Sequence, residues 1–404
     1  MVTGKENRDG DGGGAEKKPA NAGARGRLRL VCLALISISL GLTIGLALIE
    51  VCLHFLPVRD IMASPEPITA ERPLRRDLLN GEFTYSKGWD FSIVNTVHTN
   101  NYGYVNDNAY DPAQTSPLLA VIGDSYIEAM VVPYAKTIHG RLAAYLKGAR
   151  VYSFGFAGDP LSQYIAQARF VRKEFSPDAM VFVVVGNDFD ESMLEYKNAP
   201  GFHYFVEDGK GGYALQLVEY YPVHPSVLHS IGHALGLQKL ALVRYVRTNY
   251  EVTLGQLYAA LASKHEKYAG QTLANVDNRR ERLGKMAIEA FFRMLPEATG
   301  LPPEKILFVV DGIRPQLYDG GDMGRGSYFD LMRRRFIARA EQGGYGVADM
   351  QKVFAEDFRR NGKRFEFPTD GHWNGRGHRL AFEAAAESPV VAAFPHGVMP
   401  SPVD

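Results

Sequence analysis

Apolar residues fall along the chain in three kinds of run, and each kind predicts a different element. From Leu30 to Ile49 twenty residues pass without a charge. At 1.5 Å per residue that run spans about 30 Å, the hydrocarbon thickness of a bilayer, so it predicts one N-terminal transmembrane helix. Four short apolar runs stopped by turn residues, Leu118–Ile122, Arg150–Phe154, Ala179–Val185 and Ile306–Val310, predict buried strands of a parallel sheet. Helical spacing appears at Thr137–Leu146, Leu161–Phe175 and Ser327–Ala340, and again after Trp373, with a further strand at Tyr345–Asp349. Strands alternating with helices predict an α/β domain whose parallel sheet carries helices on both faces.

The remaining segments divide the chain. Residues 1–26 are rich in Gly, Ala, Lys and Glu, too polar to offset their ordering entropy, and predict a disordered cytoplasmic tail. Residues 28–56 are the expected anchor, and 57–117, with many Asn, Asp, Pro and Tyr, an extended covering segment with little regular structure. Residues 118–404 form the expected catalytic domain. Within it, 189–303 break the alternation; Val227–Val246, Leu254–Lys264 and Arg279–Leu295 look helical, which predicts a helical insertion with Ser226 at an N-cap.

Charge adds topology. Lys5, Arg8, Lys17, Lys18, Arg25, Arg27 and Arg29 precede the long apolar run, whereas Arg59 is the nearby base after it. The positive-inside rule therefore places the N-terminus in the cytoplasm and the body outside; the expectation is a single-pass protein of the inner membrane with a periplasmic or otherwise extracytoplasmic domain. Over the 404 residues Lys+Arg and Asp+Glu balance at 45 each, so no global field recruits nucleic acid. Cys32 and Cys52 lie at the apolar run, which leaves the body without a disulfide framework or a thiol metal site.

Each of the first three strands runs into a polar turn that could supply one catalytic part. Gly123-Asp124-Ser125 offers a hydroxyl at the carboxyl end of a parallel strand, where ligand sites of α/β sheets lie. A hydroxyl needs a base before it becomes a useful nucleophile. Asp370-Gly371-His372 supplies an imidazole and a carboxylate to orient it. The Ser125 and Gly158 N–H groups and the Asn187 side chain are the candidate donors of an oxyanion hole. Taken singly, each is equally a turn, a cap or a helix entry. The expected chemistry calls on neither a cofactor nor a metal. His229 and His233 have i, i+4 spacing without a third ligand, and Arg333-Arg334-Arg335 reads as a solvated helix face. Gly320–Gly326 reads as a flexible loop, His378 as the start of the last helix, and Trp373 as packing beside the site or meeting a sugar face.

Ser125, Gly158, Asn187 and His372, in that order within Gly123-Asp124-Ser125, Gly158, Gly186-Asn187-Asp188 and Asp370-Gly371-His372, resemble the four blocks of the SGNH (GDSL-type) hydrolases. The resemblance spans 118 to about 386 outside the insertion. It departs from the common Gly-x-Asn-Asp and Asp-x-x-His blocks, since Gly186 and Asn187 are adjacent and Asp370 is two residues from His372. The shorter final block, followed by Trp-Asn, is similar to bacterial envelope members and related alginate-acetylation proteins. The resemblance implies a flavodoxin-like three-layer α/β/α fold, with Ser125 as nucleophile, His372 as base and Asp370 as orienting acid, Asp311 being the reserve acid. It implies a serine esterase on ester-bearing, foremost O-acetylated, glycans or small esters, or an O-acetyltransferase of the envelope polysaccharide machinery using the same acyl-enzyme. A non-catalytic glycan-binding or assembly protein of the same fold is the alternative. A reporter enzyme fused after Asp404 is expected to be active only outside the cytoplasm; a cytoplasmic signal contradicts the topology.

Overall fold

The computed structural model describes residues 21–61, 66–222, 236–250, 268–269, 272–273, 275–318 and 325–395. The chain divides into two units, residues 1–56 and 57–404. The first contains α1 (Asn21–Leu53), whose 28 residues Gly26–Leu53 are long and apolar enough to cross a membrane. Apart from Leu53, its leucines and isoleucines are exposed.

The second unit opens with an antiparallel hairpin, β1 (Glu82–Lys87) and β2 (Ile93–His98). Then follow β3 (Leu118–Gly123), the one-turn helix α2 (Ser125–Glu128), α3 (Ile138–Tyr145), β4 (Arg150–Gly155), α4 (Leu161–Phe175) and β5 (Ala179–Val184). A second hairpin, β6 (Phe202–Glu207) and β7 (Tyr213–Val218), precedes α5 (Asn278–Thr299). The chain continues through β8 (Ile306–Val310), α6 (Tyr328–Gln342), β9 (Gly346–Asp349), α7 (Met350–Asn361), β10 (Asp370–Trp373) and α8 (Gly375–Ala386).

The central sheet is fully parallel with the order β9-β8-β5-β3-β4. Counted from β3, this is the flavodoxin-like order, which places its switch point between β3 and β5. Every residue of β3, β4, β5 and β8 is buried, as the uninterrupted apolar runs demand. The pleat sends alternate side chains to opposite layers. Leu118, Ala120 and Ile122 join Phe182 and Phe308 under α4, α5 and α6, whereas Leu119 and Val121 join Val181, Val183 and Val309 under α3, α7 and α8. The result is the three-layer α/β/α arrangement.

Two parts of the chain depart from the sequence reading. The covering segment has more regular structure than expected, because β2 alternates buried Ile93, Asn95 and Val97 with exposed Val94 and Thr96. Its buried Asn95 donates to the carbonyls of Met130 and Val132, both at 2.9 Å, and so clamps the chain that leaves α2. The segment 189–303 is not purely helical. It begins with the β6–β7 hairpin, whose turn is closed by Asp208 accepting from Lys210 and Gly212. Residues 241–250 are helical, and α5 contains the expected Arg279–Leu295, but α5 packs in a core layer of the sheet rather than in an appendage. Ser226 and Leu254–Lys264 lie outside the described residues, as do residues 1–20.

Glycine is required where β3 and β4 end side by side. Gly123 and Gly155 are register partners, and a Cβ on Gly155 would come within 2.8 Å of the Asp124 carbonyl oxygen and 2.9 Å of the Gly123 carbonyl oxygen. Those contacts are backbone and cannot swing aside. Gly155→Ala is expected to destabilise the body by about 1–3 kcal/mol, as overpacking does, and to displace the turn that carries Ser125. Thermal unfolding and ester hydrolysis measured on the same preparation check it.

Candidate active site

The site is assembled at the carboxyl edge of the parallel sheet. Where β3 ends, Asp124 caps α2 by accepting from the Tyr126 N–H at 2.9 Å, which puts Ser125 on the first residue of the helix. The Ser125 hydroxyl has two acceptors in reach, His372 Nε2 at 2.8 Å and Asp124 Oδ2 at 3.3 Å. It has one proton to give, and the shorter contact is to the imidazole.

His372 arrives on β10, 247 residues later in sequence. Its Nδ1 lies 2.5 Å from Asp370 Oδ1, and its own backbone N–H donates to the same oxygen at 2.9 Å. With Nδ1–H donating to the carboxylate, Nε2 is left as the acceptor for the serine proton. The single residue between Asp370 and His372 thus suffices for the contact. The second carboxylate oxygen, Oδ2, receives Lys87 Nζ at 2.5 Å from the end of β1. Burial pushes the Asp370 pKa up, but the hydrogen bond and charge of His372, joined by Lys87, outweigh it and hold the group below the usual carboxylate range.

Asp311, the reserve acid, does not meet His372. It is fully buried at the end of β8, accepts from the Trp373 indole at 2.9 Å and pairs with Arg314 at 3.1 Å. Arg314 donates to the Tyr126 hydroxyl at 2.5 Å, and that hydroxyl donates to the Gly371 carbonyl at 3.0 Å. This chain ties the β3 turn, the β8 end and the histidine loop together. Trp373 is wholly buried, so it packs beside the site, with its ring 5.1 Å from that of Tyr126, and presents no face to a sugar. Nothing in the sequence marks Lys87, Tyr126 or Arg314, whose partners are distant along the chain.

Gly158 and Asn187 occupy the turns after β4 and β5, so the three candidate donors sit at adjacent strand ends. Gly158 has φ +83°, which only glycine adopts without strain. Among the described residues, neither the Gly158 N–H nor the Asn187 side chain has a hydrogen-bond partner within the protein. The arrangement offers a hydroxyl facing a base, a base fixed by an acid, and uncommitted donors at neighbouring turns. Those are the parts of nucleophilic acyl transfer.

No protein-family model matches the chain, and no curated protein matches it. Among solved structures the chain is similar to GDSL-type lipolytic hydrolases. One is a member of the lipolytic protein G-D-S-L family from Veillonella parvula, at 14% identity over 67% of this chain and 97% of that one, with a TM-score of 0.33. Another is the lipase/acylhydrolase from Enterococcus faecalis, at 11% identity over 70% and 100%, with a TM-score of 0.37. A third is the acetyl xylan esterase AlAXEase, at 12% identity over 66% and 97%, with a TM-score of 0.34.

The other singled-out residues have structural partners. Arg333 is buried against Asp349 at 2.5 Å, Arg334 pairs with Asp330 at 2.8 Å and Arg335 with Glu289 at 3.5 Å, so the triple arginine is not a plain solvated face. The Ile138 N–H donates to His378 Nδ1 at 3.3 Å, which couples α8 to the start of α3. His229, His233 and residues 320–324 of the glycine-rich loop lie outside the described residues. Among the described residues no group of three His, Cys, Asp or Glu side chains is placed to hold a metal ion.

Buried carboxylates stiffen the turns. Asp159 accepts from the Phe156 N–H and from Gln167, Asp188 from the Val185 N–H and the Tyr164 hydroxyl, and Glu128 from the Ala157 N–H next to Gly158. Burial pushes Asp159 and Asp188 well above the ordinary range, Asp124 up to about 6 and Glu128 up to about 7. An acid whose folded-state pKa is raised binds more protons folded than unfolded. Its contribution therefore falls as pH rises from the ordinary glutamate value of 4.5 towards 7. Glu128→Gln, which keeps an acceptor oxygen for Ala157, is expected to remove part of the stability loss between pH 5 and pH 8. Thermal melts across that range check it; parallel wild-type and variant curves contradict the assignment.

Proposed function

We propose that the chain is a serine ester hydrolase of the SGNH type, held on a membrane by α1 and acting on O-acyl, foremost O-acetyl, groups of an extracytoplasmic glycan. The observation that carries the hydrolase reading is the pair of contacts at His372, 2.8 Å from Nε2 to the Ser125 hydroxyl and 2.5 Å from Nδ1 to Asp370. The acetyl-glycan substrate and the outward orientation draw support from the resemblance to anchored envelope members and from the basic residues before α1.

In this reading Ser125 Oγ attacks the ester carbonyl carbon while its proton passes to His372 Nε2. Asp370 keeps the imidazole in the tautomer that accepts there and stabilises the cation that forms. The carbonyl oxygen, now negative, is met by the Ser125 and Gly158 N–H groups and the Asn187 amide. Collapse of the tetrahedral intermediate breaks the ester C–O bond, and the departing alkoxide takes the proton back from His372. Water, activated by the same imidazole, then releases the acyl group from Ser125; a sugar hydroxyl in that place gives acyl transfer instead.

With the full-length protein in detergent and p-nitrophenyl acetate as substrate, Ser125→Ala and His372→Ala are each expected to lower kcat about 10⁴-fold. Asn187→Ala is expected to lower it about 10²–10³-fold with little change in KM, the signature of a donor used in the transition state. Full activity in His372→Ala contradicts the assignment of the base.

A further inference from the structure

We infer that Lys87 is a positioning residue of this site, acting on His372 through Asp370, and that the β1–β2 hairpin is therefore part of the catalytic apparatus. The inference rests on the hydrolase reading above and goes beyond it, since that reading needs nothing from the residues before β3.

The geometry divides the Asp370 carboxylate between two partners. Oδ1 faces the His372 ring and backbone, and Oδ2 faces Lys87 Nζ at 2.5 Å. The Asp370 side chain is only 2% exposed and that of Lys87 22%, so the ion pair is shielded from water on the carboxylate side. Apart from His372, Lys87 is the one basic side chain that pairs with Asp370 among the described residues. A carboxylate pinned at both oxygens cannot rotate, and its fixed plane sets the direction in which the imidazole presents Nε2 to Ser125.

The hairpin delivering Lys87 is itself held firmly. Lys87 is the last residue of β1, in register with buried Ile93 across the strand pair. Asn95, two residues further along β2, clamps the Met130 and Val132 carbonyls. Tyr85 and Val97 pack with Ala129 to Val132, the segment that leaves α2. The lysine and the serine are thus referenced to the same piece of backbone.

Removing the ammonium has two consequences. Oδ2 becomes a buried anionic oxygen without a partner, a costly state that the side chain relieves by turning. The full negative charge also falls on the imidazole, which favours its protonated form. The other ionisable groups facing this pair are Asp124, Tyr126 and Glu128 on the Ser125 side, Tyr85 on β1 and His378 on α8. All five remain in a Lys87 variant, so a change in pH dependence reports the lysine.

The test is the rate at which a fluorophosphonate phosphonylates Ser125, with Oγ displacing fluoride and its proton passing to His372. It is measured from pH 5 to 9 on full-length wild type, Lys87→Met and Lys87→Arg. We expect Lys87→Met to react at least about tenfold more slowly at neutral pH. Its acid limb should move up by about one pH unit, as the loss of a cationic neighbour favours the imidazolium, and Lys87→Arg should restore most of both. Melting curves show whether each variant is folded. Wild type that takes the label while Lys87→Met matches it, or slows without any movement of the limb, overturns the inference and leaves the hydrolase reading intact. Wild type that takes no label overturns both.

Discussion

A carboxylate that must stay ionised while almost out of water governs this site. Asp370 is 2% exposed at its side chain, and burial alone favours its neutral form. The His372 ring and Lys87 reverse that preference, and the His372 backbone N–H also donates to the carboxylate. Each donor then fixes something else. The ring contact selects the imidazole tautomer, the backbone contact shapes the three-residue segment Asp370–His372 at the start of β10, and the lysine ties in the hairpin. Without the first two, His372 would lie beside Ser125 with no set orientation.

The sheet provides the frame within which this carboxylate acts. Four fully buried parallel strands end at one edge, and each end is a turn that the sheet cannot hydrogen-bond. Buried acids close three of those turns, Asp124, Asp159 and Asp188, while Asp311 at the fourth holds the indole of Trp373. The backbone there is held without using the Gly158 N–H or the Asn187 amide, which have no hydrogen-bond partner among the described residues. A second chain of contacts, Asp311 to Arg314 to Tyr126 to Gly371, keeps the late histidine loop registered against the early serine turn. Stability and chemistry meet at the same residues, so substitutions at Gly155 or Glu128 affect both.

The features legible from sequence were those with a local signature. Apolar runs ending in Gly-Asp-Ser or Gly-Asn-Asp mark strands and their turns, and the proximity of Asp370 to His372 in sequence makes their contact a matter of one turn. What escaped was set by distant partners. Lys87 and Asp370 are 283 residues apart, and a lone lysine in an Asn- and Tyr-rich stretch announces nothing. The β1–β2 hairpin was hidden by Asn95, a polar residue on its buried face whose satisfaction comes from the carbonyls of Met130 and Val132. Trp373 invited a sugar-facing reading because its buried partner, Asp311, lies 62 residues upstream. The pattern of α5 correctly announced a helix but could not say that it covers the sheet rather than forming an insertion.

The central claim is that Ser125 carries the acyl group between the ester and its acceptor. Rapid acid quenching during turnover of p-nitrophenyl acetate, followed by proteolysis and mass spectrometry, tests it most directly. An acetyl group on the peptide containing Ser125, formed and lost at rates matching turnover, is the predicted result. Turnover with the acetyl group on another residue, or with no covalent intermediate in Ser125→Ala at undiminished rate, would contradict it.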